Sequence, residues 1–117
     1  MTGQTSRRKG AAFERDIERY LDGVDGITAR RVAPLGYAGG DIHVTTQRLE
    51  LLVECKNRKT LALPEWWRQA VDDAQQWDTH HIGAPVAPLL VVKRPRTTNP
   101  AHQWAICDLQ TLTHIIT

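Results

Sequence analysis

Asp41, Glu54 and Lys56 are the residues whose types and spacing can do chemistry. Asp41 opens an alternating segment, with Ile42 and Val44 on one side and Asp41, His43 and Thr45 on the other. After a tight turn near Gln47-Arg48, the segment from Leu49 to Lys56 reads as a second strand of a hairpin. On it Leu51, Val53 and Cys55 share one side, and Leu52, Glu54 and Lys56 share the other. In that register Asp41 and Glu54 point to one face near one end, and Lys56 points the same way. Two carboxylates brought this close repel each other unless a cation sits between them. Hard oxygen ligands select Mg²⁺ or Mn²⁺, which keep several waters and can bind a substrate phosphate. An ammonium beside them suits a hydrolytic site, where it orients water or stabilises charge growing on phosphate. A Glu-x-Lys on a strand is commonly a solvent-facing pair. Here it follows Leu51, Leu52 and Val53, where charge is costly unless paired or used.

Glu14 is a third candidate acid. It flanks an apolar stripe of Phe13, Ile17, Tyr20, Leu21 and Val24, the pattern of an amphipathic helix from about Arg8 to Asp22. Packed on the sheet, that helix can aim Glu14 at the Asp41/Glu54 site. Ahead of it, residues 1–7 are expected to form a mobile basic tail, leaving 8–117 as one domain. Ile27 to Ala33 reads as a short strand, and Pro34 to Gly40 as a glycine-rich loop that lets a polyanion approach the backbone before Asp41. Pro64 suits the first turn of a second helix running to about Thr79. On it Gln69, ahead of Gln75 and Gln76, is the best placed to support the site, and His43 is a further supporting candidate from the Asp41 strand. Trp66, Trp67 and Trp77 suit core or subunit contacts. Pro88 to Lys93 is a near-continuous apolar run, as in a strand covered on both faces. A strand from His102 to Cys107 follows, and Asp108 can cap a final helix whose apolar positions are Leu109, Leu112 and Ile116. The order is α-β-β-β-α-β-β-α, which a mixed sheet flanked by helices accommodates.

The 117 residues carry a net charge of only +2, with basic residues clustered at Arg7-Arg8-Lys9, Arg30-Arg31, Lys56 to Lys59 and Lys93 to Arg96. If the fold brings these together, they make a phosphate-facing rim. No apolar run approaches the ~20 residues of a membrane span. With two cysteines, Cys55 and Cys107, a reducing, cytoplasmic setting is expected. His80-His81 and the cysteines lack the paired spacing of a zinc site.

Three segments together, KGAAFERDIERYL (Lys9 to Leu21), GGDIHV (Gly39 to Val44) and LLVECKNRK (Leu51 to Lys59), resemble the archaeal-type Holliday junction resolvases of the PD-(D/E)XK nuclease superfamily. The resemblance implies a restriction-endonuclease-like α/β fold and metal-dependent hydrolysis of DNA, with a branched substrate. It implies that Asp41 and Glu54 bind Mg²⁺ or Mn²⁺ together with the backbone carbonyl of Cys55. By the same likeness Lys56 positions water, and Glu14 matches the resolvases' first-helix glutamate. Arg7, Arg8, Lys9, Arg30, Arg31, Arg58 and Lys59 are the expected DNA contacts. Resolving a four-way junction takes two symmetric cuts, so one site per chain implies a two-fold homodimer. The tryptophan helix and the apolar C-terminal segment are the expected interface. The alternatives are another PD-(D/E)XK nuclease, cutting flaps or acting in repair or restriction, and a non-catalytic DNA-binding module of the same fold.

Overall fold

Alternation of side chains along the central strand sets the architecture. A computed structural model describes residues 3–32 and 41–117, with side chains from residue 8 onward. Helix α1 (Gly3–Asp22) is followed by strands β1 (Thr28–Arg31), β2 (Ile42–Thr45) and β3 (Glu50–Lys56). Helix α2 (Leu63–His80), strand β4 (Val86–Val92), a 3₁₀ turn (Pro100–His102), strand β5 (Trp104–Ile106) and helix α3 (Leu109–Ile116) complete the chain. The five strands lie in sequence order, β1-β2-β3-β4-β5. All neighbours are antiparallel except β3 and β4, which are parallel because α2 carries the chain back across the sheet. The order and fold class are those expected, a mixed sheet with helices on both faces.

The central strand β3 divides the core. Val53, with Ile42, Val44, Ala29 and Val91, meets Phe13 and Ile17 of α1. Leu52 turns to the other face, where Ala74 and the half-buried Trp77 of α2 cover it with Val32 and Val86. Trp66 closes the same face over Leu90 and Val92. Within the α1 stripe, Phe13, Ile17 and Leu21 face the sheet, while Tyr20 and Val24 are largely exposed. In α2 Trp66 takes the buried place beside Ala70 and Ala74, and Trp67 is half-buried.

Three boundaries depart from expectation. Helix α1 begins at Gly3, five residues before Arg8, so most of the expected tail is helical. Once a helix is nucleated each added residue gains a hydrogen bond, so a polar segment can extend it. Strand β4 begins at Val86, and Pro88 lies inside it. Odd-numbered β4 residues direct their N–H groups at β3, as Lys93 does to the Lys56 carbonyl at 2.9 Å. Pro88 therefore faces the β5 side, where pairing starts only at Leu90, and no ladder bond is lost. Finally, α3 is capped as expected, by the Asp108 carboxylate accepting from Thr111 N–H at 2.8 Å. Its buried residue, however, is Thr111, while Leu109, Leu112 and Ile116 are 78%, 42% and 66% exposed. A hydrophobic period alone does not say which face meets the sheet.

Leu90 is fully buried between α2 and the sheet. Leu90→Ala should cost about 3 kcal/mol of unfolding free energy, read as a lower urea midpoint with an unchanged slope.

Candidate active site

The β2–β3 pairing places Asp41. Ile42 lies opposite Val53, so Asp41, one residue earlier, falls opposite Glu54 on the α2 side of the sheet. The backbone fixes it further: Asp41 N–H donates to the Val53 carbonyl at 2.9 Å, and Asp41 Oδ2 accepts from Cys55 N–H at 2.6 Å. Asp41 and Glu54 thus share one face, as their spacing predicts. The Cys55 N–H and carbonyl both point along the sheet toward Asp41, because both backbone groups of a strand residue lie on one side. The Cys55 thiol turns to the α1 core, where burial and then the surrounding acids push its pKa well up, so it is not a thiolate ligand. Neither cysteine is in a disulfide.

Glu54 is only 5% exposed. Its Oε2 lies 3.4 Å from Lys56 Nζ, and its Oε1 is buried without a hydrogen-bond partner. Lys56 Nζ in turn donates to Gln69 Oε1 at 2.8 Å, so Gln69 is where a supporting residue was expected. One turn along α2, the Asp73 carboxyl stands beside Glu54, and two carboxyls bond only when a proton sits between them. Asp73 is a site neighbour that the sequence reading missed. Its i+4 spacing from Gln69 puts both on one helix face, which was the signal available.

Glu14 reaches the site from the α1 side. Its charge is felt by both Asp41 and Cys55, and Arg31 Nη2 lies 3.6 Å from its Oε1. Burial raises the Glu14 pKa, with Arg31 opposing. His43 shares the Asp41 face but is engaged elsewhere: its Nε2 lies 2.7 Å from Glu50 Oε1, and its ring stacks on Trp77 at 4.6 Å.

The expected basic clusters part ways. Lys9, Arg58 and Lys59 border one hollow of about 360 Å³, together with Lys93, Arg94 and Arg96. Arg30 and Arg31 do not border it. Arg30 Nη1 donates to Asp22 Oδ1 at 3.0 Å, and Arg31 pairs with Glu14 while its N–H donates to Glu18 Oε2 at 2.7 Å. These two are engaged within β1 and α1 and do not join a common rim. Arg8 is exposed on α1. The Arg7 side chain and residues 33–40, which include the expected glycine-rich loop, lie outside what the structure describes.

The site's electrostatics favour a cation. Burial, with repulsion from Glu14 and Asp73 and against the Cys55 N–H bond and Lys56, pushes Asp41 up to about 6. Burial, then repulsion from Asp41 and the Asp73 bond, pushes Glu54 up to about 8. A buried carboxylate oxygen with no donor, in a pair that resists double ionisation, fits a hard divalent ion held by Asp41, Glu54 and the Cys55 carbonyl. Among the described residues no group of three acidic, His or Cys side chains is gathered closely enough to hold a metal ion by itself, so an ion at Asp41 and Glu54 would draw its other ligands from the backbone, water and substrate.

Residues 5–107 match the profile of a family described as "Phage putative PDDEXK endonuclease". Among solved structures, the chain is similar to Hjc of Archaeoglobus fulgidus, a Holliday junction resolvase from an archaeal hyperthermophile, with 27% identity and a TM-score of 0.55. That similarity covers 88% of this chain and 86% of the other. No curated protein matches the chain. Among the described residues no helix is long and apolar enough to cross a membrane.

The raised pKa values make a stability prediction. Between about pH 4 and 8 the native state holds protons on Asp41 and Glu54 that the unfolded chain has released. In metal-free buffer, stability should therefore fall as pH rises from 5 to 8, by about 1.4 kcal/mol from Asp41 alone. Asp41→Asn should make that slope shallower in thermal melts, leaving the part that burial of Glu54 contributes.

Proposed function

The chain belongs to the phage PDDEXK endonuclease family, and on that premise we propose that it is a structure-selective DNA endonuclease resolving four-way (Holliday) junctions by paired phosphodiester hydrolysis. The observation that carries the reading is the juxtaposition of Asp41 and Glu54 on one sheet face, with Lys56 Nζ 3.4 Å from the Glu54 carboxylate. The similarity to an archaeal junction resolvase along most of both chains supports the branched substrate.

Asp41, Glu54 and the Cys55 carbonyl would hold Mg²⁺ or Mn²⁺, while Glu14, paired with Arg31 on the α1 side, adds its charge to the site. When bound, the ion supplies Lewis-acid polarisation of the scissile phosphate and a lowered pKa for water. The protein's own part is positional. Gln69 holds the Lys56 ammonium on the face of the acids, where it orients the attacking water. Cys55 N–H holds the Asp41 carboxylate in register with Glu54. Arg8, Lys9, Arg58 and Lys59 are proposed to neutralise flanking phosphates, and binding should then weaken steeply with salt. Arg30 and Arg31 enter this scheme through the Asp22 and Glu14 pairs, Arg31 by orienting Glu14.

A junction needs two symmetric cuts, so the active form is proposed to be a two-fold homodimer. The exposed apolar face of α3, with Leu109, Leu112 and Ile116, supports an interface there. Light scattering should give twice the chain mass, and Leu112→Glu should shift it to the monomer.

Incubation with synthetic junctions, flaps and linear duplex tests the activity. With Mg²⁺, symmetric nicks across the crossover are expected, and EDTA should abolish them. Flap-only cleavage would select another nuclease specificity, and binding without cutting a non-catalytic module. Asp41→Asn and Glu54→Gln should lower the cleavage rate by about 10³-fold or more while DNA binding persists in Ca²⁺. Lys56→Ala should cost about 10²-fold. Full activity in Asp41→Asn would overturn the assignment.

A further inference from the structure

Beyond the ends of β3 and β4, the hollow of about 360 Å³ is bordered by Lys9, Arg58, Lys59, Lys93, Arg94 and Arg96, and by no acidic residue. Among the described residues none of these six cations forms an ion pair. Six like charges around one concavity repel each other, so the arrangement is unfavourable without an anion. The hollow adjoins the candidate active site. Lys93 N–H donates to the carbonyl of Lys56 at 2.9 Å, and Arg58 is two residues past Lys56. Val92 shares the face of Lys56, so Lys93 points to the opposite, α1 side, where Lys9 lies. The hollow thus continues the site around the end of the sheet.

The loop after β4 fixes its cations in place, Lys93 Nζ donating to the Arg94 carbonyl at 2.8 Å. Arg94 N–H donates to Gln103 Oε1 at 2.6 Å, its Nη1 donates to the His102 carbonyl at 3.1 Å, and its guanidinium lies 5.7 Å from the Trp104 ring centre. The next turn is closed by Thr97 N–H to the Arg94 carbonyl at 3.4 Å, with Pro95 second and Arg96 third. Arg96 has φ of 59°, the one non-glycine residue with positive φ among those described. Glycine or asparagine normally fills that turn position. An arginine there carries backbone strain, and strained residues concentrate at functional sites.

We propose that Lys93, Arg94 and Arg96, with Lys9, Arg58 and Lys59, form a clamp for successive phosphates of the one DNA strand that runs on from the cleavage site. The strand assignment rests on the nuclease reading above, whereas the clamp is a property of the hollow. It grips the backbone without reading bases, because cationic side chains on phosphate carry no sequence information.

Binding of a labelled four-way junction in Ca²⁺, followed between about 50 and 200 mM salt, tests it. The Lys93→Gln/Arg96→Gln double variant should lower the slope of log affinity against log salt by about 2, roughly one per lost cation. Arg19→Gln, at the far end of α1, should leave the slope unchanged. Arg96→Gly separates contact from fold. It should weaken binding as much as Arg96→Gln while raising the melting temperature by about 3 °C, because glycine relieves the turn. An unchanged slope in the double variant, or full affinity in Arg96→Gly, would overturn the clamp. A wild-type protein that binds with the expected slope but cuts no DNA in Mg²⁺ or Mn²⁺ would instead overturn the nuclease reading and leave the clamp standing.

Discussion

Two carboxyl groups buried side by side dominate this molecule. Asp41 and Glu54 face each other across a strand pair, and each is held there by backbone geometry that it cannot escape. Charging both in that setting is unfavourable, as their raised pKa values record. A fold under no functional demand would place apolar side chains at these positions, because burying a carboxylate pair gains nothing in packing. The surrounding structure makes the arrangement tolerable. The flanking strands fix the register, the Cys55 N–H stabilises one Asp41 oxygen, and Lys56 offsets part of the charge on Glu54.

Helix α2 completes that environment. Gln69 holds the Lys56 ammonium, and one turn on, Asp73 adds a third acid beside Glu54. The two residues oppose each other in effect: Gln69 keeps a cation in place, while Asp73 raises the cost of ionising the pair. From the other side α1 contributes Glu14, whose charge is balanced by Arg31. The acids therefore approach from both faces at one end of the sheet, and the cations of the basic hollow lie just beyond it. That separation of sign suits a polyanion whose reacting phosphate sits at the acids while its neighbours rest on the bases.

Some of this was legible residue by residue. Alternation in Leu51–Lys56 assigns Leu51, Val53 and Cys55 to one core and Leu52, Glu54 and Lys56 to the other, since a strand's side chains have a period of two. Arg30-Arg31 read as part of a cationic rim, yet β1 lies against α1, and Asp22, Glu14 and Glu18 engage both residues. Asp73 went unseen because its neighbour Glu54 is nineteen positions away and reached only through helix packing. His43 shares the Asp41 face but is drawn into a stack with Trp77, an aromatic contact that no local pattern announces.

The sequence by itself determined the element order, the faces of β3, the Asp108 cap and the hairpin that sets Asp41 against Glu54. All of these depend on neighbours a few residues apart or on a single turn. Only the tertiary structure decided which cations meet in a common hollow and that α3 turns Leu109, Leu112 and Ile116 outward. The strained backbone of Arg96 likewise became visible only there. Hydrophobic period and hydrogen-bond chemistry act locally and leave their mark in the residue order. The meeting of distant charges depends on how helices and loops settle on the sheet, which is fixed by packing across the whole core.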